Sequence, residues 1–180
     1  MKWTRILFLS LLASGAAQAD DYINYVGIGY ATLDQGDRFT INGNNVSVET
    51  GDGMLRFGGD INKWTGMELR AGGTAQPEEQ TFTGNAKLEV ENDYFAGAYF
   101  RVKYPLSWVN LYAQAGFVRV KETVKFNNSS ASDKFNDSSW AAGLDIYIGQ
   151  RWILNGEFFH LSSENSVDRE GPGASIMYRF

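Results

Sequence analysis

His160, the chain's single histidine, and Ser162, two positions later, are a general base and a hydroxyl that could serve it as nucleophile. Residues i and i+2 of an extended segment share a face, so a strand here would bring the two side chains together. A histidine working as a base also needs a partner that fixes its tautomer. The carboxylates that follow, Glu164, Asp168 and Glu170, read as loop residues and leave that partner unassigned. With no cysteine in the chain, thiolate metal sites, disulfides and a cysteine nucleophile are excluded. Asp34, Asp37, Asp133 and Asp137 fall in loop-like stretches without a calcium-loop pattern, so no metal or other cofactor is expected. Gly27 and Gly29 precede no helix, and a phosphate cradle needs one. The remaining chemistry is ionic: Arg56, Arg70, Arg101, Lys103 and Arg179 against Asp60, Glu68, Asp145 and Glu157.

The elements that must position these groups show a period of two. From about Tyr22 to Leu33, Val26, Ile28, Tyr30 and Thr32 alternate with Tyr25, Gly27, Gly29 and Ala31. The same alternation predicts strands near Met54 to Ile61, Gly66 to Thr74, Tyr94 to Tyr104, Leu111 to Val118, Trp140 to Ile148, Trp152 to Ser162 and Ala174 to Phe180. In each, one face is largely apolar, and where a strand carries charges they fall on the other. Arg56 and Asp60, Glu68 and Arg70, Arg101 and Lys103, Asp145, Glu157 and Arg179 therefore share the face turned away from the apolar one. Buried charges are tolerated when paired, so a salt-bridge network filling an interior is the expectation; a narrow ion path lined by the same groups is the alternative. His160 and Ser162 fall on the apolar, outward face.

Three tryptophans set the scale of the pattern. Trp64, Trp108 and Trp152 are 44 residues apart each time, and each lies in a short turn-like segment. Two strands of about 11 residues with one short turn and one longer loop make a unit of roughly that length, the size of a transmembrane hairpin. The three rings, with Tyr178 and Phe180, then form an aromatic belt at one membrane interface, the periplasmic one. The turns near Asn62, Pro105 and Gln150 are short, whereas residues 34 to 50, 76 to 90, 123 to 138 and 163 to 172 are long and polar. Phe126 to Ser139 reads as the plainest loop. The fold class expected is all-β: an eight-stranded antiparallel transmembrane up-and-down β-barrel.

Lys2 and Arg5, the apolar run Ile6 to Ala13 and the small residues Ala17 and Ala19 before Asp20 mark residues 1–19 as a secretory signal peptide, with the barrel over 20–180. Without Lys2 and Arg5, 14 basic residues face 21 acidic ones, near −7, and the basic residues are scattered, so nucleic acid is not an expected partner. Glycine at 20 residues and aromatics at 14% suit twisted strands and tight turns better than helices.

The alternation, the Asn155 to Phe159 stretch with its inward Glu157, and the Tyr178, Arg179, Phe180 ending resemble the small eight-stranded outer-membrane barrels of the OmpA, OmpX and opacity-protein type. That resemblance implies a bacterial outer-membrane location. It implies contact with outer-membrane lipid and lipopolysaccharide, and recognition of the closing strand by the barrel-insertion machinery. It further implies a non-enzymatic envelope-structural or surface-interaction role, in adhesion or resistance, with a host or surface ligand at four outer loops. No peptidoglycan-binding domain is expected after Phe180. The His160-x-Ser162 stretch is similar to that of the lipid A deacylase barrels of the PagL type, which implies a hydrolase as one alternative; a small channel is the other. Ser163 departs from the asparagine of that pattern, and Ala174 and Ser175 stand near the start of the last strand, where the pattern has an acid.

Overall fold

The alternation read from the sequence is the alternation of a closed wall. In a computed structural model, residues 24–34, 39–41, 44–46, 49–76, 78–82, 86–126, 129–161 and 169–180 are described. The segment expected to be a signal peptide, Asp37, Ser162, Glu164 and Asp168 lie outside them. The strands are β1 (Asn24–Asp34), β2 (Phe39–Ile41), β3 (Asn44–Val46), β4 (Glu49–Asp60), β5 (Thr65–Gln76), β6 (Glu78–Phe82), β7 (Ala86–Leu106), β8 (Val109–Phe126), β9 (Ser129–Ile148), β10 (Trp152–Leu161) and β11 (Arg169–Arg179). No helix occurs among the described residues.

Eight staves, β1, β4, β5, β7, β8, β9, β10 and β11, form one antiparallel sheet that closes when β5 pairs with β7. Closure leaves no stave with an unpaired edge, the condition for crossing lipid. The short β6 follows β5 and continues its place beside β7, and β2 and β3 make a separate small hairpin. Val26, Ile28, Leu55, Phe57, Met67, Leu69, Phe100, Val102, Leu111, Leu154 and Ile176 are exposed on the outer surface. Tyr25, Arg56, Glu68, Arg70, Tyr99, Arg101, Tyr112, Phe159 and Met177 are buried inside. Each stave thus presents the face the period of two assigns to it.

The end of the barrel that carries the short turns is tied through them. Asn62 Oδ1 accepts from the backbone N–H groups of Trp64 and Thr65 at 2.8 and 2.9 Å, and Ser107 and Gly149 take positive φ values of 28° and 62° to close the next two turns. The backbone N–H of Lys103 donates to Trp64, that of Tyr147 to Trp108 and that of Arg179 to Arg151; that of Phe180 donates to Asn24, so adjoining turns and the chain end are joined. Trp64 packs against Tyr104 at 6.1 Å and Trp152 against Tyr178 at 5.2 Å. Trp108 and Phe180, in a turn and at the chain end on this side, are exposed as well.

The outer end departs from expectation. β7, β8 and β9 run for 21, 18 and 20 residues, about twice what a spanning strand needs. Residues 123–138, expected as a loop, are largely strand: Thr123 pairs with Ser132, Glu122 with Asp133 and Phe126 with Ser129. Much of 76–90 is also strand, in β6 and the start of β7. The reason is solvent. Beyond the membrane both faces of a projecting hairpin meet water, so the ladder holds the strand without an apolar face to announce it.

Inward glycines make room for large inward side chains. A Cβ on Gly58 would lie 2.4 Å from the ring of Tyr25 and 2.8 Å from the carbonyl oxygen of Met67. Gly58→Val is therefore expected to destabilise the barrel by about 1–3 kcal/mol through overpacking. Urea unfolding in phospholipid vesicles, with midpoint and slope compared to the parent, measures it.

Candidate functional site

The interior is layered along the barrel axis. Its centre is Glu68, fully buried on β5. The carboxylate accepts from Arg56 Nη2 at 2.9 Å, Arg70 Nε at 2.6 Å, Arg101 Nη2 at 3.2 Å and the Tyr25 hydroxyl at 2.5 Å. Glu157, on β10, accepts both terminal nitrogens of Arg70 at 2.7 and 2.6 Å, the planar fork matching a carboxylate, and a bond from the Tyr112 hydroxyl. Asp145 accepts from Arg101 Nη1 at 2.8 Å and Asn155 Nδ2 at 2.7 Å. Three arginines thus face three carboxylates. The stave order explains it: β4, β5 and β7 supply the cations, and β5, β9 and β10 the anions, so the bonds cross the lumen.

Toward the periplasmic end a second pair, Lys103 Nζ and Asp60 Oδ1, meets at 2.5 Å. Arg179 is set apart from the central network: its guanidinium lies over the Tyr147 ring at 4.9 Å, and its Nε is buried without a hydrogen-bond partner. Toward the outer end a dry layer follows, with Ala31, Leu33, Met54, Phe95, Tyr99, Val118, Val120, Ala141, Phe159 and Leu161 in one cluster. Arg70 bridges the two environments, its guanidinium 5.1 Å from the Phe159 ring centre and 5.2 Å from that of Tyr99. Above the dry layer Arg169 pairs with Glu122, both buried.

Charge counting alone misses part of this assembly. Asn155, Gln114, Tyr25 and Tyr112 complete the hydrogen bonding of the ions, and their inward parity was the available signal. Arg169 and Glu122 carried a weaker one, because Arg169 falls in a polar stretch that reads as loop.

His160 stands on the outer wall. Its ring stacks on Trp140 at 5.1 Å and 25°, and Nδ1 lies 3.1 Å from Glu170 Oε2. This corrects the loop placement of Glu170: it is the second residue of β11 and pairs directly with His160 across the strands. The stretch Arg169 to Gly173 reads as loop because it holds two glycines and Pro172, yet Pro172 sits in register with Phe158. Among the described residues no group of three or more histidine, cysteine, aspartate or glutamate side chains is placed to hold a metal.

Residues 6–180 match the family model described as outer membrane protein beta-barrel domain. The chain belongs to that family. It is a bacterial outer-membrane barrel, and the exposed apolar wall is its lipid-facing surface. Solved structures share the fold. Ail, the attachment invasion locus protein of Yersinia pestis, in complex with the heparin analogue sucrose octasulfate, superposes with a TM-score of 0.63 at 15% identity, over 89% of this chain and 99% of that one. The N-terminal β-barrel domain of Pseudomonas aeruginosa OprF gives 0.61 at 11%, over 91% and 100%. Neisserial surface protein A gives 0.59 at 11%, over 88% and 97%. No curated protein matches the sequence.

Removing one partner of a buried ion network costs more than the network contributes, because it strands the others. Glu68→Ala leaves Arg56, Arg70 and Arg101 short of a shared acceptor and is expected to cost about 3–5 kcal/mol. Lys103→Met, at the less buried pair with Asp60, is expected to cost less. The two unfolding midpoints, measured in the same vesicles, rank them.

Proposed function

We propose that this barrel is a non-enzymatic surface protein whose outer hairpins make the contacts, in adhesion or resistance, while the lumen serves as structure. The observation that carries the reading is the length of β7, β8 and β9, which lifts a paired sheet well clear of the bilayer. A projecting sheet offers both faces and its edges to a partner. The lumen offers no comparable surface: its ions are paired across it and an apolar layer lies above them. Ail, which shares the fold, is seen with a heparin analogue, so a sulfated surface glycan is a fitting class of partner to try first.

The test is to remove residues 124–131 and join Thr123 to Ser132, which pair in the parent, through a two-residue turn. The shortened barrel should still show heat-dependent gel mobility, while cells carrying it should lose binding to heparin-coated and matrix-coated surfaces. Equal binding by parent, shortened barrel and empty-vector cells overturns the reading. For the lumen, planar-bilayer recordings of the parent are expected to show no stable conductance steps, since paired charges and a dry layer deny ions a hydrated path.

A second reading has one observation in its favour. With Glu170 beside Nδ1 of His160, the imidazole has a partner that would fix its tautomer, so that Nε2 would be the atom to take a serine proton. In that reading Ser162 is the nucleophile and an outer-leaflet lipid A the substrate. Mass spectrometry of lipid A from cells expressing the parent, His160→Ala and Glu170→Gln decides it. Identical lipid A in all three and in empty-vector cells is expected; loss of an acyl chain with the parent alone would establish the hydrolase.

A further inference from the structure

The short-turn mouth of the lumen holds a cation that the chain itself leaves over. Below the apolar layer the inward cations Arg56, Arg70, Arg101, Lys103 and Arg179 face the inward carboxylates Asp60, Glu68, Asp145 and Glu157, all at described positions. Arg56, Arg70 and Arg101 share Glu68, Glu157 and Asp145, and Lys103 takes Asp60. Arg179 is the remainder. Among the described residues no carboxylate stands within ion-pair reach of it, and its Nε is buried with no acceptor.

Its surroundings hold the guanidinium in place. Arg179 is the last residue of β11, in register with Tyr25 of β1. Its backbone N–H donates to the Arg151 carbonyl at 2.7 Å and that of Phe180 to the Asn24 carbonyl at 3.0 Å, so the rim is tied on both sides of it. One flat face of the guanidinium lies over the Tyr147 ring, 4.9 Å from its centre. That ring is fixed in turn: Nδ2 of the buried Asn110 donates to its hydroxyl at 2.5 Å, and the Tyr147 backbone N–H donates to the Trp108 carbonyl at 3.0 Å.

The arrangement selects its ligand by charge and by shape. Arg179 as a whole is half-buried, so water at the mouth reaches part of the guanidinium. The buried Nε is different, because it needs an acceptor that comes in along the edge it shares with a terminal nitrogen. Two oxygens in one plane bond both donors of such an edge together, and the stacked face on Tyr147 leaves the edge as the direction of approach. The surplus is a single positive charge. A monoanion with two coplanar oxygens, a carboxylate, satisfies both conditions.

We propose that Arg179, backed by Tyr147, is a receptor for one carboxylate group at the short-turn mouth, the periplasmic side in barrels of this architecture. Arg179 binds the group, while Tyr147 and Asn110 position the guanidinium. The carboxylate arrives either on a separate small molecule or on Asp20 or Asp21, which lie shortly ahead of β1 in the chain and carry the same chemistry. The site is at the opposite end of the barrel from the projecting hairpins and is independent of what they bind.

Acetate is the probe, replacing chloride at constant ionic strength around the barrel isolated from outer membranes, carrying isotope-labelled arginine and held in neutral detergent micelles. Nuclear magnetic resonance follows the Arg179 Nε–H signal, identified by its loss in Arg179→Gln. The signal should move saturably, with half the effect at roughly 1–10 mM acetate, the strength of one exposed charge-assisted fork. D20N/D21N separates the sources: if those side chains fill the fork, acetate moves the signal in that variant alone, and if a separate molecule does, parent and variant respond alike. In whichever of the two responds, Tyr147→Leu should raise the half-effect concentration by about threefold or more, and Tyr147→Phe, which keeps the ring, should raise it less. Heat-dependent gel mobility verifies that each variant is folded. A signal that acetate moves in neither the parent nor D20N/D21N overturns the proposal. A response that never saturates overturns it as well, and an unchanged half-effect in Tyr147→Leu overturns the positioning role.

Discussion

Everything inside this barrel is arranged around one carboxylate shared by three arginines. Glu68 gathers Arg56, Arg70 and Arg101 at 2.6 to 3.2 Å, from its own stave and from both neighbouring staves. Such a group cannot be dehydrated alone, because an uncompensated ion in a low-dielectric interior costs several kcal/mol. The remaining guanidinium nitrogens must then find acceptors, and they reach across the lumen to Glu157 and Asp145. The network therefore links opposite walls. A wall slipped by one residue would move all these ions to the lipid face, so the charges fix register as firmly as the apolar band does.

Closure and filling constrain each other. Eight staves leave an interior only as wide as its side chains, and the tyrosines and arginines of the network need more room than an average inward residue. Glycines provide it: Gly58 lies under the ring of Tyr25, and a Cβ on Gly72 would fall 2.8 Å from the ring of Phe95. With the middle filled by ions, the outer half is filled by Leu33, Phe95, Val118 and Phe159. The polar and apolar layers meet at Arg70, whose fork points to Glu157 while its flat face lies against Tyr99 and Phe159. A stacked guanidinium is well suited to that boundary, because its faces are weakly hydrated and its edges are not.

Where lipid lies on one side and packed side chains on the other, the sequence is transparent. From Val26 to Tyr30, Leu55 to Asp60 and Trp140 to Ile148, every second residue answers to a different medium, and the inward charges are read directly from parity. The repeat of Trp64, Trp108 and Trp152 falls at the three short turns, so its spacing reports the length of each two-stave unit. Legibility fails where the two media become one. Ser129 to Asp137 is strand by its ladder to β8, but from Ser130 to Lys134 both faces are exposed, which removes the alternation, and the serines read as loop. Glu170 is misread by composition, because Gly171 and Pro172 beside it signal a break. The strand persists there because its partners on β1 and β10 hold it in register.

The same change of medium separates the parts that hold the fold from those free to vary in contact. Below the outer rim each residue is committed, to lipid, to an ion partner or to a close-packed layer, and a substitution disturbs a neighbour that is equally committed. Above it the backbone ladder maintains β7, β8 and β9, joined by a few side-chain bonds such as Arg169 to Glu122 and Thr123 to Asp93. Arg119, Lys121 and Lys134 stand at that border. Lys121 is tied to Asp93 of β7, whereas Arg119 and Lys134 are exposed on the outward face. The fold requires only a paired strand at these positions, and three cations there gain nothing from each other in the bare chain.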